Sequence, residues 1–390
     1  MGLKRFKVLT ICSWYPNDLK PTLGNFVQKH AESIALYNDV VALAIFPSTE
    51  ESEVRMQESK SKSLHEIVLY YPKKTSGFKP FRLIKNYFSH RKAYKMGYKR
   101  AKEIIGQPEI VHLNIVYPLG IWALWLKWHY KIPYIITENS SGFHVDSDHS
   151  YPASILRLSK LIIRNASYVL PVSQNLLKSM QKMSPNSKFG TVSNVVDEHL
   201  FKETPKPIID EVKLIHISTG VDTIKNLSGM IRVMQALKLD FPQVKLDIVS
   251  DGDIEYAKQL ANELAVHSTV TFHSTKTTAE VAEMIQTSHA LLQFSNYENF
   301  PCVIAEAMMC GKPVLSSNVN GIPEHVNEIN GMLVNRGDEE ALKNAIISFI
   351  QNPNKFNSTQ IRDYAMKHFS YSEVGKRFTE IYSEVLNVKF

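Results

Sequence analysis

The chain has 390 residues, of which 44% are hydrophobic and 21% charged, with a formal net charge of +7 at pH 7. This length allows two domains with separate cores, and the composition is that of a globular protein rather than a disordered or fibrous one. No run of about 18 uncharged apolar residues occurs, so no spanning helix is expected. The three cysteines, Cys12, Cys302 and Cys310, are too few and odd in number for a disulfide framework and fit a reducing cytoplasm.

At the N-terminus, Lys4, Arg5 and Lys7 precede VLTICSWYP, which superficially resembles a signal peptide. The apolar run is short, is closed by Trp14-Tyr15-Pro16, and no small-residue cleavage site follows. KVLTICSW therefore reads as a first buried strand, and Asn25 to Leu36 as a helix. VVALAIF, EIVLYY, EIVHLNIV, YIITEN and YVLPVS read as further strands. Helical segments such as Leu119 to Trp128 and Ser154 to Ile163 lie between them. The second half repeats the rhythm with KLIHIS, KLDIVS, VTFHS, ALLQFS and PVLSS. Strands alternating with helices predict an α/β protein with parallel sheets wound on both faces. The polar, proline-bearing FKETPKPIIDEVK puts a boundary near Val195 to Lys213. The division is then 1–195 and 196–370, two doubly wound Rossmann-like domains, followed by a segment 371–390 whose helix runs from Tyr371 to Val388.

Charge divides along the same line. Residues 1–195 hold 27 Lys and Arg against 13 Asp and Glu, whereas residues 196–390 hold 18 against 25. A basic first half points to an acidic surface or partner on that side. Its densest part, Lys79 to Lys102, carries nine Lys and Arg and no acid except beyond its end, interleaved with Phe81, Leu83, Ile84, Tyr87, Phe88, Tyr94, Met96 and Tyr98. This pattern suits an anionic membrane surface. It equally describes a pair of amphipathic helices with core aromatics and solvated lysines. Nucleic acid would fit the same composition, but no recognised nucleic-acid motif accompanies it, and no nucleic-acid partner is expected. Trp122, Trp125 and Trp128, three apart, read as core packing.

The most informative stretch is YENFPCVIAEAMMCGKPVLSSNVNGIPE, from Tyr297 to Glu324, with Glu298 and Glu306 eight residues apart. Asn299 is the expected helix cap, Pro301 the first helical position and Gly311 the stop. The first N–H groups of such a helix and its partial positive charge make an anion site. Two carboxylates beside it suit a sugar–phosphate ligand, because carboxylates accept from hydroxyls while the helix end holds phosphate.

This segment resembles the Glu-x7-Glu signature of the retaining glycosyltransferases of family 4 (glycosyl transferases group 1). Cys310-Gly311-Lys312-Pro313-Val314 and Gly321-Ile322-Pro323-Glu324 are similar to that family as well. The resemblance implies the GT-B architecture, two Rossmann-like domains facing a cleft, with the terminal helix packed back on the first domain. It further implies that Gly24 lets backbone approach the donor phosphates and that Asn25 begins the helix behind them. IHISTGVDTIKN resembles the strand and loop that carry an Arg and a Lys for the diphosphate. Lys225 matches the Lys, and Thr219 or Gly220 stands where the Arg would be. In LDIVSDGD, Ser250 replaces the first Gly of a Gly-x-Gly strand end that retains Gly252. IPYIITENSSGFH resembles a strand ending in Thr-x-His with Asn139 at the His position, and Glu138 or His144 are neighbouring contributors. Asn194 and Asp197 match a hinge motif.

The implied reaction transfers a sugar from a UDP- or GDP-linked donor to an acceptor hydroxyl with retention. Glu298 would serve the sugar and Lys225 the leaving diphosphate, as the catalytic pair. Glu306 would accept from ribose hydroxyls. Backbone N–H groups of Asn299, Phe300 and Cys302, with the helix start through Val303, would complete the nucleotide-sugar site. No Asp-x-Asp or spaced histidine set appears, so no metal and no other cofactor is expected. The expected acceptor is a lipid-linked glycan of a capsule, O-antigen or exopolysaccharide, handled in the cytoplasm or at the inner membrane face. A nucleotide-sugar epimerase on the same fold and a degenerate, non-catalytic sugar-nucleotide binder are the alternatives.

Overall fold

The computed structural model describes residues 4–61, 63–144, 150–204, 211–352 and 354–388. Residues 205–210 of the expected linker thus lie outside the described residues. The chain forms two compact units, residues 1–195 together with 371–390, and residues 196–370.

The first unit is built on seven strands: β1 (Lys7–Cys12), β2 (Asp39–Ser48), β3 (Arg55–Ser61), β4 (Leu64–Pro72), β5 (Ile110–Asn114), β6 (Tyr134–Glu138) and β7 (Tyr168–Pro171). Their order is β3-β4-β2-β1-β5-β6-β7, and every pairing is parallel except β3 with β4. Central strands covered on both faces need apolar side chains at nearly every position, which explains the runs in β1 and β5, broken only by the buried Thr10, His112 and Asn114. Alternate residues serve opposite faces. Leu9 and Ile11 join one core with Tyr94, Trp122 and Ile162. Val8 and Cys12 join the other with Val27, Phe378 and Tyr382. The sheet is therefore doubly wound. Strand β3 had no apolar signature because it is an exposed antiparallel edge of sequence RMQESKS.

Three helices of this unit matter below. The helix Asn25–Ala35 starts after Gly24, whose φ of 66° is left-handed. A Cβ there would fall 2.6 Å from the Trp14 carbonyl carbon, so glycine is required on both counts. The segment expected as a pair of amphipathic helices is one 27-residue helix, Lys79–Ile105. Nothing in its sequence after Pro80 breaks the backbone hydrogen-bond ladder, so two predicted elements merge. The helix Tyr371–Val385 lies against Asn25–Ala35. A Cβ on Gly375 would meet the Ser33 carbonyl oxygen at 2.1 Å, and Asn38 Nδ2 donates to Thr379 Oγ1 at 2.8 Å. On the sheet side, Tyr382 shares a hydrogen bond of 2.6 Å with His112 Nδ1.

The second unit has six parallel strands: β8 (Val212–Ser218), β9 (Val244–Ser250), β10 (Val270–His273), β11 (Ala290–Gln293), β12 (Val314–Ser317) and β13 (Gly331–Val334). Their order is β10-β9-β8-β11-β12-β13. This is the 3-2-1-4-5-6 order of dinucleotide-binding sheets, and the winding reverses between β8 and β11. Among the described residues, no helix is long and apolar enough to cross a membrane.

Candidate active site

In an open parallel sheet, ligands bind outside the carboxyl ends of the strands at the point where the winding reverses. In the second unit the loops after β8 and β11 meet there. The β8 loop ends in a short helix, Asp222–Lys225. Asp222 accepts from Ser228 N at 2.9 Å and from Ser228 Oγ at 2.8 Å. Asn226, in the left-handed region, caps the next helix by accepting from Gly229 N at 3.2 Å. The β11 loop is stitched to it by Asn296 N, which donates to the Ile224 carbonyl at 2.7 Å. Both loops are thus fixed before any ligand arrives.

Lys225 and Glu298 come together on this frame. Lys225 Nζ donates to Glu298 Oε1 at 2.5 Å, with side-chain exposures of 16% and 9%. The same oxygen accepts from Gln293 Nε2 and from Ser295 Oγ, each at 2.9 Å. Gln293 is the last residue of β11, so the strand itself aims a donor at the carboxylate. A desolvated ion pair is tolerated when further hydrogen bonds satisfy it, and here they hold one oxygen in place.

His216 of β8 supports the junction from below. It is buried, and burial pushes its pKa down to about 4, against the opposing effect of its bond to Leu292 and with a smaller push in the same direction from Lys225. Neutral His216 bridges Leu292 O at 2.9 Å through Nδ1 and Ser218 Oγ at 2.7 Å through Nε2. Ser218 Oγ in turn accepts from Gly220 N at 3.1 Å. His216, Gln293 and Ser295 were not singled out in the sequence. A His and a Gln inside otherwise apolar strands were the available signals, since a buried polar side chain demands a partner.

Thr219, at the position of the expected Arg, is exposed, and its carbonyl faces Gly252. A Cβ on Gly252 would meet that oxygen at 2.1 Å, so Gly252 is needed for close approach of two loops rather than for a turn alone. Gly220, with φ of 72°, leaves no room either: a Cβ would meet Ile254 Cγ2 at 2.3 Å.

The helix carrying Glu306 runs Cys302–Met309. Its N-cap is Pro301, with ψ of 132° and no side-chain cap bond, so neither Asn299 as cap nor Pro301 as first helical residue is observed. The proline ring accepts the extended backbone of the preceding Asn-Phe turn, which moves the helix start one residue on. Glu306 is buried on that helix, with 8% exposure. Phe300 and Val303 turn their side chains into the core, where Phe300 stacks on Phe369 at 5.4 Å and lies 4.6 Å from His325. Only their backbone is left to face a ligand. Asn299 and Cys302 are half-buried beside them.

The remaining expected residues lie in the first unit, except Asp197, which is in the second. Gly24 and Asn25 form the β1-to-helix turn described above. Asn139 follows β6 and donates through Nδ2 to Asn194 Oδ1 at 2.7 Å. Glu138 is fully buried and accepts from Val116 N at 2.8 Å and Ser140 N at 2.7 Å. Burial raises its carboxyl to about 7 despite those bonds. His144 meets Ser179 Oγ at 3.0 Å, and Asp197 accepts from His199 N at 2.9 Å. Among the described residues, no group of three or more His, Cys, Asp or Glu is placed to hold a metal ion.

Two doubly wound units of this kind place the protein among the two-domain Rossmann-like α/β proteins. Comparison with known sequences is more specific. Residues 201–368 match the family described as Glycosyl transferases group 1, and residues 49–200 match Glycosyltransferase Family 4. The chain belongs to this family and is a glycosyltransferase with the GT-B fold. It is 25% identical over 292 residues to N-acetyl-alpha-D-glucosaminyl L-malate synthase of Bacillus anthracis, covering 71% of this chain and 75% of that one. Sucrose-phosphate synthase from Thermosynechococcus elongatus superposes with a TM-score of 0.76 at 19% identity, over 98% of this chain and 100% of that one. Alr3699/HepE of Anabaena, solved in complex with UDP and glucose, gives a TM-score of 0.72 at 18% identity, over 97% and 100%.

Proposed function

We propose that the protein transfers a hexosyl group, with retention, from a UDP- or GDP-linked sugar to a hydroxyl of a lipid-linked glycan. The Lys225–Glu298 pair, held at 2.5 Å where the second sheet reverses its winding, carries this reading. In the reaction the bond from the anomeric carbon to the diphosphate oxygen breaks and its electrons leave with the diphosphate. The acceptor oxygen bonds to the same face of the anomeric carbon, and its proton passes to the departing phosphate oxygen. Lys225 and the N-terminus of the helix Cys302–Met309 stabilise the negative charge that develops. Glu298 holds sugar hydroxyls and favours the positive charge on the ring, while Glu306 accepts from the ribose. Thr219 donates to the diphosphate where relatives carry Arg. The leaving-group charge is assigned to Lys225 and the helix end, and the proposal includes no metal cofactor.

UDP in the Anabaena neighbour supports a uridine donor as the first to try. The setting proposed is capsule, O-antigen or exopolysaccharide assembly, with the protein in the cytoplasm and peripheral to the inner membrane face. The test is thermal stabilisation by a panel of UDP- and GDP-sugars, followed by donor hydrolysis and product analysis for any hit. A ligand at a hundredfold excess over its Kd adds about 2.7 kcal/mol of stability. A shift with one donor, plus hydrolysis lost in Glu298→Gln, is expected. No shift with any donor would favour a degenerate site and turn attention to the basic face of the first unit. An epimerised sugar nucleotide would replace transfer by epimerisation. Transfer to a small hydroxy acid, as the name of the Bacillus anthracis relative suggests for that enzyme, would remove the lipid-linked acceptor.

A further inference from the structure

The helix Lys79–Ile105 is docked on the first sheet by its second half only. Ala93, Tyr94, Gly97, Tyr98, Ala101 and Ile105 are buried there. At its start, Phe78, Phe81, Leu83, Ile84, Tyr87 and Phe88 are each between 53% and 72% exposed. Soluble proteins scatter such side chains singly, whereas a contiguous patch marks an interaction surface.

The sequence spacing organises this surface. Phe81, Ile84, Phe88, Lys92, Lys95, Lys99 and Lys102 follow one another at steps of three or four and are all exposed, so they share one outward stripe. The stripe is apolar over its first turns and cationic over the rest. Arg100, off the stripe, is ion-paired with Glu58 and Glu103. Beside the cationic part, Lys95, Lys99, Lys102, Trp125 and Tyr130 line a cavity of about 470 Å³, whose wall also carries Glu103, the ion-pair partner of Arg100.

We propose that this stripe docks the protein on a phospholipid bilayer of anionic surface. The first turns enter the interface end-on, and the lysines lie at headgroup level, with a lipid phosphate in the cavity between Lys95, Lys99 and Lys102. Along this stripe the apolar residues precede the cationic ones, while Lys79, Arg82 and Lys85 lie on other faces of the first turns, and the order along the stripe favours a tilted entry over a flat one. Aromatic rings with one polar end, as at the half-buried Trp125 and the exposed Tyr130, suit the same level. Charge complementarity selects the occupant. A second copy of this chain meeting the stripe symmetrically would bring like charges together, and a nucleic acid would leave the apolar turns in water. The inference deepens the peripheral placement proposed above and rests on it, but not on the donor chemistry.

The test is cosedimentation of the full chain with phosphatidylcholine vesicles, with and without phosphatidylglycerol. Two variants are compared, F81S/I84S/F88S and K95Q/K99Q/K102Q. The wild type is expected to bind only the phosphatidylglycerol vesicles, with a blue shift of tryptophan emission. The lysine variant should lose about a hundredfold in affinity, at roughly fivefold per cation. The apolar variant should lose the salt-resistant part of binding. All three proteins should keep the same donor-induced thermal shift, which separates this inference from the transferase reading. Wild type that ignores both vesicles, or variants that bind like wild type, would overturn it. So would a concentration-dependent dimer abolished by F81S/I84S/F88S.

Discussion

Lys225 Nζ and Glu298 Oε1 stand 2.5 Å apart, although 73 residues separate them in the chain. Each follows a strand that borders the reversal of the second sheet, so the pair is set by topology as much as by side-chain choice. Gln293 and Ser295 bond the same carboxylate oxygen, so three donors converge on Glu298 Oε1.

Replacing Glu298 by Gln should leave the fold intact and lower turnover on the order of a hundredfold or more, the scale seen when a desolvated electrostatic contact to a transition state is lost. Lys225→Met should do the same. The double variant should fall well short of the product of the two losses, because the residues form one unit. Steady-state kinetics on the four proteins of the cycle check this, and strict additivity would show that the two act separately.

Glu306→Ala should weaken nucleotide binding by about tenfold, the value of roughly one charge-assisted hydrogen bond. Calorimetric titration with the free nucleoside diphosphate reads it directly. Unchanged affinity would remove Glu306 from the ribose.

Gly252→Ala should destabilise the second unit by about 1–3 kcal/mol through overpacking, because the new methyl meets the Thr219 carbonyl at 2.1 Å. The same shift displaces the loop that leads to Lys225, so donor affinity should fall along with melting temperature. A stable variant with normal affinity would show that the two loops are not coupled.

Stability should decline as pH drops from about 6.5 towards 4. Burial lowers His30, His216 and His325 each to about 4. In that window the unfolded chain takes up protons that the folded protein refuses, so each pH unit removes up to about 1.4 kcal/mol per histidine. Glu138, raised to about 7 by burial, acts in the opposite sense: its contribution is lost as pH rises from the ordinary carboxylate range through 7. Melting curves from pH 4.5 to 8 on wild type, His216→Gln and Glu138→Gln separate the two, as order-of-magnitude contrasts in slope. A His216→Gln profile as steep as wild type would acquit that histidine.

The central strands were plain in the sequence, because β1, β5, β8 and β9 are rich in Val, Leu and Ile with few polar interruptions and are bounded by polar loops. Strand β3 was not, since an edge strand in water has no apolar face to display. Strand β13, only four residues long, gave too little pattern. At the site, the string from Tyr297 to Glu324 pointed to the family directly. It misplaced the helix start because Pro301 can be either a cap or a first residue, and only its ψ of 132° decides. Gln293, Ser295 and His216 went unnoticed because their roles depend on which strands are neighbours, and spacing along a chain does not contain that. The division of Lys79–Ile105 into a docked half and a bare half was equally hidden, since both halves mix lysines and aromatics alike.

The place of the helix Tyr371–Val385 has a consequence for synthesis on the ribosome. Its Phe378 and Tyr382 fill one of the two cores of the first unit, alongside Val8 and Val27. The domain begun first is therefore completed last, after all of residues 196–370 have emerged. Until then that face of its sheet has the helix Asn25–Ala35 but lacks the rest of its cover, and the nascent chain carries exposed apolar surface while the second domain is already free to fold. Arrested chains ending before Tyr371 should accordingly be the species that chaperones hold.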